Sequence, residues 1–511
     1  MKRVPMLSGS RLTIVSAPDD GIILRPPAPR EAIADVRAAV RDALRFPLVG
    51  PPLEALVPRG GRATVVIEPP ALPIPTAQRD PRQAAIEAVV DELERAGAPI
   101  GSQTLLVAGG LARRLGEREL EQLGIVSAEF ARRFRGRVEI HDVEDPALVE
   151  LGHVGRVPLR VNRCLVETDV NVVVTAAETV LHGGPAALVG ASGREALRAA
   201  GAYSLLETSA SQGWQLGVAI ERELSRRTSL IGASLTLNHP RLTGAVRGYP
   251  YDEEALERIA GSPLRRPFGL LPAWVRDRVI RSLRRELTIA AAYGGPPSVA
   301  HAEALLRGIE ARSTQLDGQL DALVIGIPRT TPHLPRERPN PLLAAYLALG
   351  LALRLWRDGF PLAEGGTAIL VHRFHRRFAH PTQQPYRAFF QATTRLGREP
   401  VELMDAEHAA TADERAIDAY RARRTCHPLL PFVDWNGCAP AVGRLGAVLV
   451  AGCRDAVAAR QLGFVPTQNV AAALQMAHGR AGGPPRIGFL LSPPYFPLRV
   501  STERSTNLSG V

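Results

Sequence analysis

The stretch VNVVVTAAETVLHGGPAALVGASGREAL, residues 170–197, decides how the chain is read. Its apolar start, Val170–Val174, has the near-continuous hydrophobicity of a strand buried on both faces of an α/β sheet. His182, the pair Gly183-Gly184 and a run of small residues follow, with breaks at Gly190 and Gly193 before the next helix. Strand, glycine-rich turn and helix is how open α/β sheets build ligand sites at the carboxyl ends of their strands. The same spacing also fits a tight crossover in which the glycines only relieve crowding.

Outward from this stretch the β-turn-α alternation continues. Arg62–Glu68 reads as a strand, closed by the proline run Pro69–Pro75, which cannot be a helix interior. Asp80 caps a helix with Pro81 at its first position, running through Leu93 to Gly97. Thr104–Ala108 is a strand ending in Gly109-Gly110, and Arg137–His141 is another. The arginine-rich segment from Tyr203 to Ala311 reads as helical, including a helix over Pro272–Leu287. A second α/β unit opens at the strand Leu320–Ile327. A loop over Pro328–Pro339 and a long helix, Pro341–Arg357, capped by Asn340, come next. Thr367–His372, Gly446–Gly452 and Ile487–Leu491 are further strands, and the chain after Pro497 reads as disordered. The expected fold is α/β: two domains with mostly parallel sheets, a helical linker region between them, and a cleft lined by the turns after Glu68, Ala108 and Val174. Expected boundaries are an N-terminal arm over 1–60, the first domain over 61–310, the second over 311–500, and a tail over 501–511.

At 511 residues the chain exceeds what one core holds, and 45% hydrophobic residues supply enough apolar side chains for two. No apolar run reaches membrane-spanning length and no signal peptide is evident, so a cytoplasmic protein with no membrane partner is expected. The four cysteines, Cys164, Cys426, Cys438 and Cys453, have no metal-ligand spacing and read as reduced. A net charge of +11 raises nucleic-acid binding, but the arginines are scattered among Ala, Gly and Pro, so nucleic acid is not an expected partner. Lys2 is the only lysine, so no cofactor can be held through a lysine in the body of the chain. His372, His375 and His380 read as solvated loop histidines and not as metal ligands.

The Val170–Leu197 stretch also resembles the segment of nickel-dependent lactate racemases, and of the wider group sharing their amino-terminal domain, that holds the nickel-pincer nucleotide. In that family a strand leads to a Gly-Gly-x-Lys-Ser-like turn whose lysine carries the cofactor, and a histidine some sixteen residues on ligates nickel. Gly183-Gly184 match the glycine pair, but the lysine position reads Ala186, and residues 198–202 contain no histidine. Pro73-Ile74-Pro75 match the family's Pro-x-Pro, while the acidic position before it reads Pro69 or Pro70. Glu68 stands one residue away, a shift that turns a strand-end side chain to the other face. Ala112 occupies the place of an acid/base histidine ahead of Arg113-Arg114. Asn340-Pro341-Leu342-Leu343, Pro385-Tyr386 and Leu462-Gly463-Phe464 extend the resemblance along the chain as structural matches.

The resemblance implies a divergent, catalytically inactive member that binds a small anion, a 2-hydroxy acid or phosphate, or serves as a subunit beside a paralogue. The alternative is an active 2-hydroxyacid racemase or epimerase with rearranged ligands, in which nickel-pincer nucleotide is bound non-covalently. His182 is the expected catalytic residue and Gly183 and Gly184 the cofactor-binding pair; no metal ligand and no resident cofactor are expected. Arg79, Arg82, Arg113 and Arg114 are expected to converge as an anion site.

Overall fold

The valine-rich stretch forms β9 (Val170–Ala176), buried along its whole length in the computed structural model, which describes residues 1–73, 80–283, 285–328, 340–378, 380–396 and 400–501. It lies within a six-stranded sheet with β4 (Ala63–Ile67), β5 (Gln103–Val107), β6 (Arg137–Ile140), β10 (Ser229–Leu237) and β13 (Ile289–Gly295), in the order β13-β10-β9-β4-β5-β6. Only β13 runs antiparallel to its neighbour. Ile67 pairs with both Val107 and Val174, so β4, β5 and β9 end level and their turns emerge side by side. The helix Pro81–Ala96 has Asp80 as N-cap and left-handed Gly97 as C-cap, and buries Val89 and Leu93 in the core of this sheet.

The second sheet is wholly parallel, in the order β19-β18-β17-β15-β20-β3. Its strands are β15 (Leu320–Gly326), β17 (Leu362–Val371), β18 (Ala447–Ala451), β19 (Val465–Thr467), β20 (Ile487–Leu490) and, from the other end of the chain, β3 (Ile22–Leu24). Residues 1–60 are therefore built into both halves. The hairpin of β1 (Lys2–Ser8) and β2 (Arg11–Ala17) packs Val4, Met6 and Val15 on Val324 and Ile369 of the second sheet. The helix Val36–Arg45 then covers the first sheet, its Val40 and Leu44 fully buried. An apolar cluster joins the halves, with Val180 and Trp214 from one and Leu342, Phe389 and Trp435 from the other.

Other local readings change. The segment 203–311 contains β10 and β13 as well as helices. Ala290–Ala292 has helical composition, but pairing with β10 makes it a strand. The helix expected over Pro272–Leu287 runs Ala273–Ser282, and Arg285–Glu286 (β12) pairs with Arg241–Leu242 (β11). The helix after Asn340 is regular only over Pro341–Ala345. It widens by one residue per turn over Tyr346–Leu351, where the Tyr346 ring lies against Gly350. The end of the chain is ordered through β21 (Leu498–Ser501), inserted between β14 (Thr314–Asp317) and β16 (Trp356–Arg357). Residues 502–511 of the expected tail and 329–339 of the expected loop lie outside the described residues. A further hairpin pairs β7 (Val149–Val154) with β8 (Val157–Val161). Among the described residues no helix is long and apolar enough to cross a membrane.

Candidate functional site

Beyond the level ends of β4, β5 and β9, their turns face helices of the second half across a cavity of about 200 Å³. One wall carries Glu68, Ala112, Arg113, His182 and Ala186; the other carries Tyr346, Gln383, Tyr386 and Asp434.

Glu68 lines this cavity although strand alternation would turn it away. β4 ends at Ile67, and past a strand end alternation no longer fixes direction. Its carboxyl accepts the Gly183 N–H at 2.6 Å. Burial pushes its pKa up to about 8; the Gly183 N–H opposes this and the nearby Glu178 carboxylate adds to it. At neutral pH Glu68 is mainly a carboxylic acid.

Gly183 and Gly184 both have positive φ, at 89° and 53°. The Gly183 N–H goes to Glu68, and the Gly184 N–H goes to the Thr175 hydroxyl at 2.9 Å. Both amides of the turn are thus used inside the protein. His182 places Nδ1 3.0 Å from the Thr179 hydroxyl. Burial, then the neighbouring His301 and Arg354, lowers its pKa to about 4, so it is a neutral imidazole.

Among the described residues the expected arginines do not converge. Arg79 lies outside the described residues. Arg82 is buried away from the cavity in ion pairs with Asp80 (2.8 Å) and Glu178 (2.9 Å). Arg114 turns the opposite way, donating to the Ile140 and His141 carbonyls at 2.8 and 3.1 Å. Of the three described, Arg113 alone lines the cavity. One terminal nitrogen pairs with Glu119 and the other donates to the Arg423 carbonyl at 3.2 Å, while its buried Nε has no hydrogen-bond partner among the described residues. Asp80 and Glu119 lie close in sequence to the arginines they pair with, but Glu178 is ninety-six positions from Arg82, a pairing that spacing alone does not reveal.

The second wall holds groups that sequence reasoning missed. The Tyr386 hydroxyl donates to Asp434 at 2.6 Å. Burial pushes the Asp434 pKa up to about 7, with the Tyr386 hydrogen bond opposing. From the sequence Tyr386 reads as a structural match without chemistry. The available signal was Asp434 itself, the lone charge in LPFVDWNGCAPAV, residues 430–442. Of the three loop histidines, His375 and His380 are exposed, but His372 is buried, with no hydrogen-bond partner for Nδ1 among the described residues.

Two α/β halves with a cavity at the strand carboxyl ends define a ligand-binding α/β architecture. The comparisons narrow it: the lactate racemase N-terminal domain profile matches residues 10–207, so this part of the chain is similar to that domain. The structure of the lactate racemase apoprotein from Thermoanaerobacterium thermosaccharolyticum aligns with 98% of this chain and 100% of its own, at 14% identity and a TM-score of 0.60, a likeness of fold. A crystal structure of a protein from Thermotoga maritima aligns over 91% of this chain and 97% of its own, at 12% identity and a TM-score of 0.46. No curated protein sequence matches the chain.

The residues at the turn do not fit a lysine-linked nickel-pincer nucleotide. Ala186 puts a buried methyl, 3% exposed, on the cavity wall, and residues 198–202 contribute the methyl of Ala200. Lys2 is in β1, on the hairpin of the second sheet. Among the described residues no three His, Cys, Asp or Glu side chains gather as a metal site.

Proposed function

We propose that the protein is a divergent lactate racemase-like protein that binds a small hydroxy acid between its halves without a covalently held nickel cofactor. The observation that carries this reading is the buried Ala186 methyl at the cavity wall, in a chain whose single lysine lies in β1. Polar recognition falls to other groups. Arg113 offers a cation to a carboxylate, and Glu68 and Asp434 can exchange hydrogen bonds with a hydroxyl. With most of the Arg113 charge taken by Glu119, one partly paired contact supports affinity of about millimolar.

Intact-mass measurement after co-expression with the cofactor-making enzymes is expected to give the bare polypeptide; a stoichiometric adduct would overturn the reading. Calorimetry with lactate, larger 2-hydroxy acids and phosphate is expected to show binding that Arg113→Ala weakens. A second reading, an active hydroxy-acid isomerase, is favoured by one observation: Glu68 and Asp434, both with raised pKa values, line opposite walls of one cavity. Optical rotation of lactate incubated with the purified protein separates the two readings.

A further inference from the structure

One surface of the molecule plays no part in the cavity. Between Ser262 and Arg285 the sequence carries seven arginines against one acidic residue, Asp277. Two helices, Arg265–Leu270 and Ala273–Ser282, meet there at a short turn. At this turn Leu270 is 87% exposed and Trp274 68%, with Leu264 nearby in sequence at 72%. Arg266 and Arg278 are exposed on the same two helices, whereas Asp277 is buried. Isolated apolar side chains on a surface need no account; three this exposed within eleven residues do.

Behind the turn lies a cluster of positive charge. Arg276 donates to the carbonyls of Gly269 (3.3 Å) and Leu271, which ties it to the backbone of the turn. Burial, together with the charges of Arg11, Arg454 and Arg276, lowers the pKa of Arg373, so these guanidinium groups stand close enough to repel one another. They come from separate elements: Arg373 follows β17, Arg454 follows β18 and Arg11 opens β2. The Arg454 N–H donates to the Arg373 carbonyl at 3.2 Å, and the Arg11 Nε has no hydrogen-bond partner among the described residues.

We propose that the turn at Leu270–Trp274 docks the protein peripherally on an anionic lipid surface. Leu270 and Trp274 enter the headgroup region, while Arg266, Arg278 and the cluster behind them face lipid phosphates. Side chains this exposed project outward and do not line a groove, as insertion into a lipid interface requires. Arginines beside an apolar tip supply attraction to anionic headgroups, and tryptophan is the residue most at home at that depth. The contact needs no membrane span and leaves the cavity between the halves free.

The chain carries its own reporter. Trp214, Trp356 and Trp435 are 7%, 6% and 5% exposed, so Trp274 supplies the solvent-exposed emission. Full-length protein is mixed with phosphatidylcholine vesicles, and with vesicles containing phosphatidylglycerol as well. Co-sedimentation with the anionic vesicles and a blue shift of tryptophan emission are expected, both reduced several-fold by added salt. The double variant Leu270→Ser/Trp274→Ser, altered only at exposed positions, should lose about tenfold or more in vesicle affinity with an unchanged melting temperature. Arg266→Glu/Arg278→Glu should do the same while keeping the tryptophan signal. Three outcomes overturn the proposal: no binding at low salt, equal binding to neutral vesicles, or binding that both variants retain. A concentration-dependent dimer that shields Trp274 without lipid would also overturn it, assigning the patch to a second copy of the chain.

Discussion

A β-carbon on Gly184 would lie 2.3 Å from the Cβ of His301. The same histidine blocks Gly183, where a β-carbon would lie 2.3 Å from His301 Cε1. His301 is fully buried on the helix Pro297–Arg312. Its Nε2 is 3.1 Å from the Thr179 carbonyl, which can only accept, so Nε2 carries the proton. The glycine pair is thus explained by close packing against one side chain.

Gly184→Ala is therefore expected to destabilise the protein by about 2–4 kcal/mol, from overpacking added to a left-handed φ. Chemical denaturation measures it. A variant as stable as the parent would contradict the close approach. His301→Ala keeps the β-carbon that blocks Gly184, so Gly184→Ala/His301→Ala should regain little, whereas Gly183→Ala/His301→Ala, which removes the imidazole atom that blocks Gly183, should recover part of the loss caused by Gly183→Ala.

Asp434 makes the fold sensitive to base. In the unfolded chain its carboxyl ionises near 3.8, whereas in the fold it keeps its proton up to about 7. Unfolding between these values releases a proton, so this contribution to stability is lost as pH rises from about 4 to about 7. Asp434→Asn removes it and can still accept from Tyr386. Against pH, the variant's advantage over the parent should widen by on the order of 2 kcal/mol between about pH 5 and pH 7, then level off. A constant difference across that range would show that Asp434 is already ionised in the fold.

The buried histidines act in the opposite sense. Burial is the main cause that holds His141, His182, His301 and His372 down to about 4 and His239 down to about 3, against an ordinary 6.5. As pH falls through 6.5 they charge in the unfolded chain but stay neutral in the fold until about 4. Unfolding takes up protons, and stability falls across that window. Five such histidines outweigh Glu68 and Asp434, which pull the other way. Denaturant midpoints are expected to drop steadily from pH 7 to pH 5, and a flat or rising profile would refute the neutral assignments.

What the sequence made legible was whatever local chemistry decides. Asp80, Pro81 and Gly97 fix both ends of their helix within a few bonds, and the valines of β9 admit only a buried strand. The cleft was legible too, because glycines and prolines mark where strands stop. Contacts between residues far apart were not. Ile22–Leu24 is too short to signal a strand and becomes one only beside β20. Arg82 reads as part of an anion site until Glu178, ninety-six positions on, is placed 2.9 Å from it. Tyr386 and Asp434 belong to different helices and meet only in the fold.

Arg113 gives the most direct test of the cavity as a carboxylate site. Its side chain is 13% exposed, and its charge is held by Glu119, whose other oxygen accepts the Gly116 N–H at 2.7 Å and so caps the helix Glu117–Gln122. Glu119→Gln keeps an oxygen for that cap and removes the competing negative charge. The freed guanidinium should bind a hydroxy-acid carboxylate more tightly. A partly exposed ion pair is worth up to about 1 kcal/mol, which corresponds to a gain of up to about fivefold in affinity. Arg113→Ala should move affinity the other way, and the double variant should resemble Arg113→Ala, since Glu119 acts only through Arg113. Calorimetry with lactate and a larger 2-hydroxy acid reads all three. If Glu119→Gln binds no more tightly than the parent while Arg113→Ala still weakens binding, the arginine positions the cavity wall and does not touch the ligand.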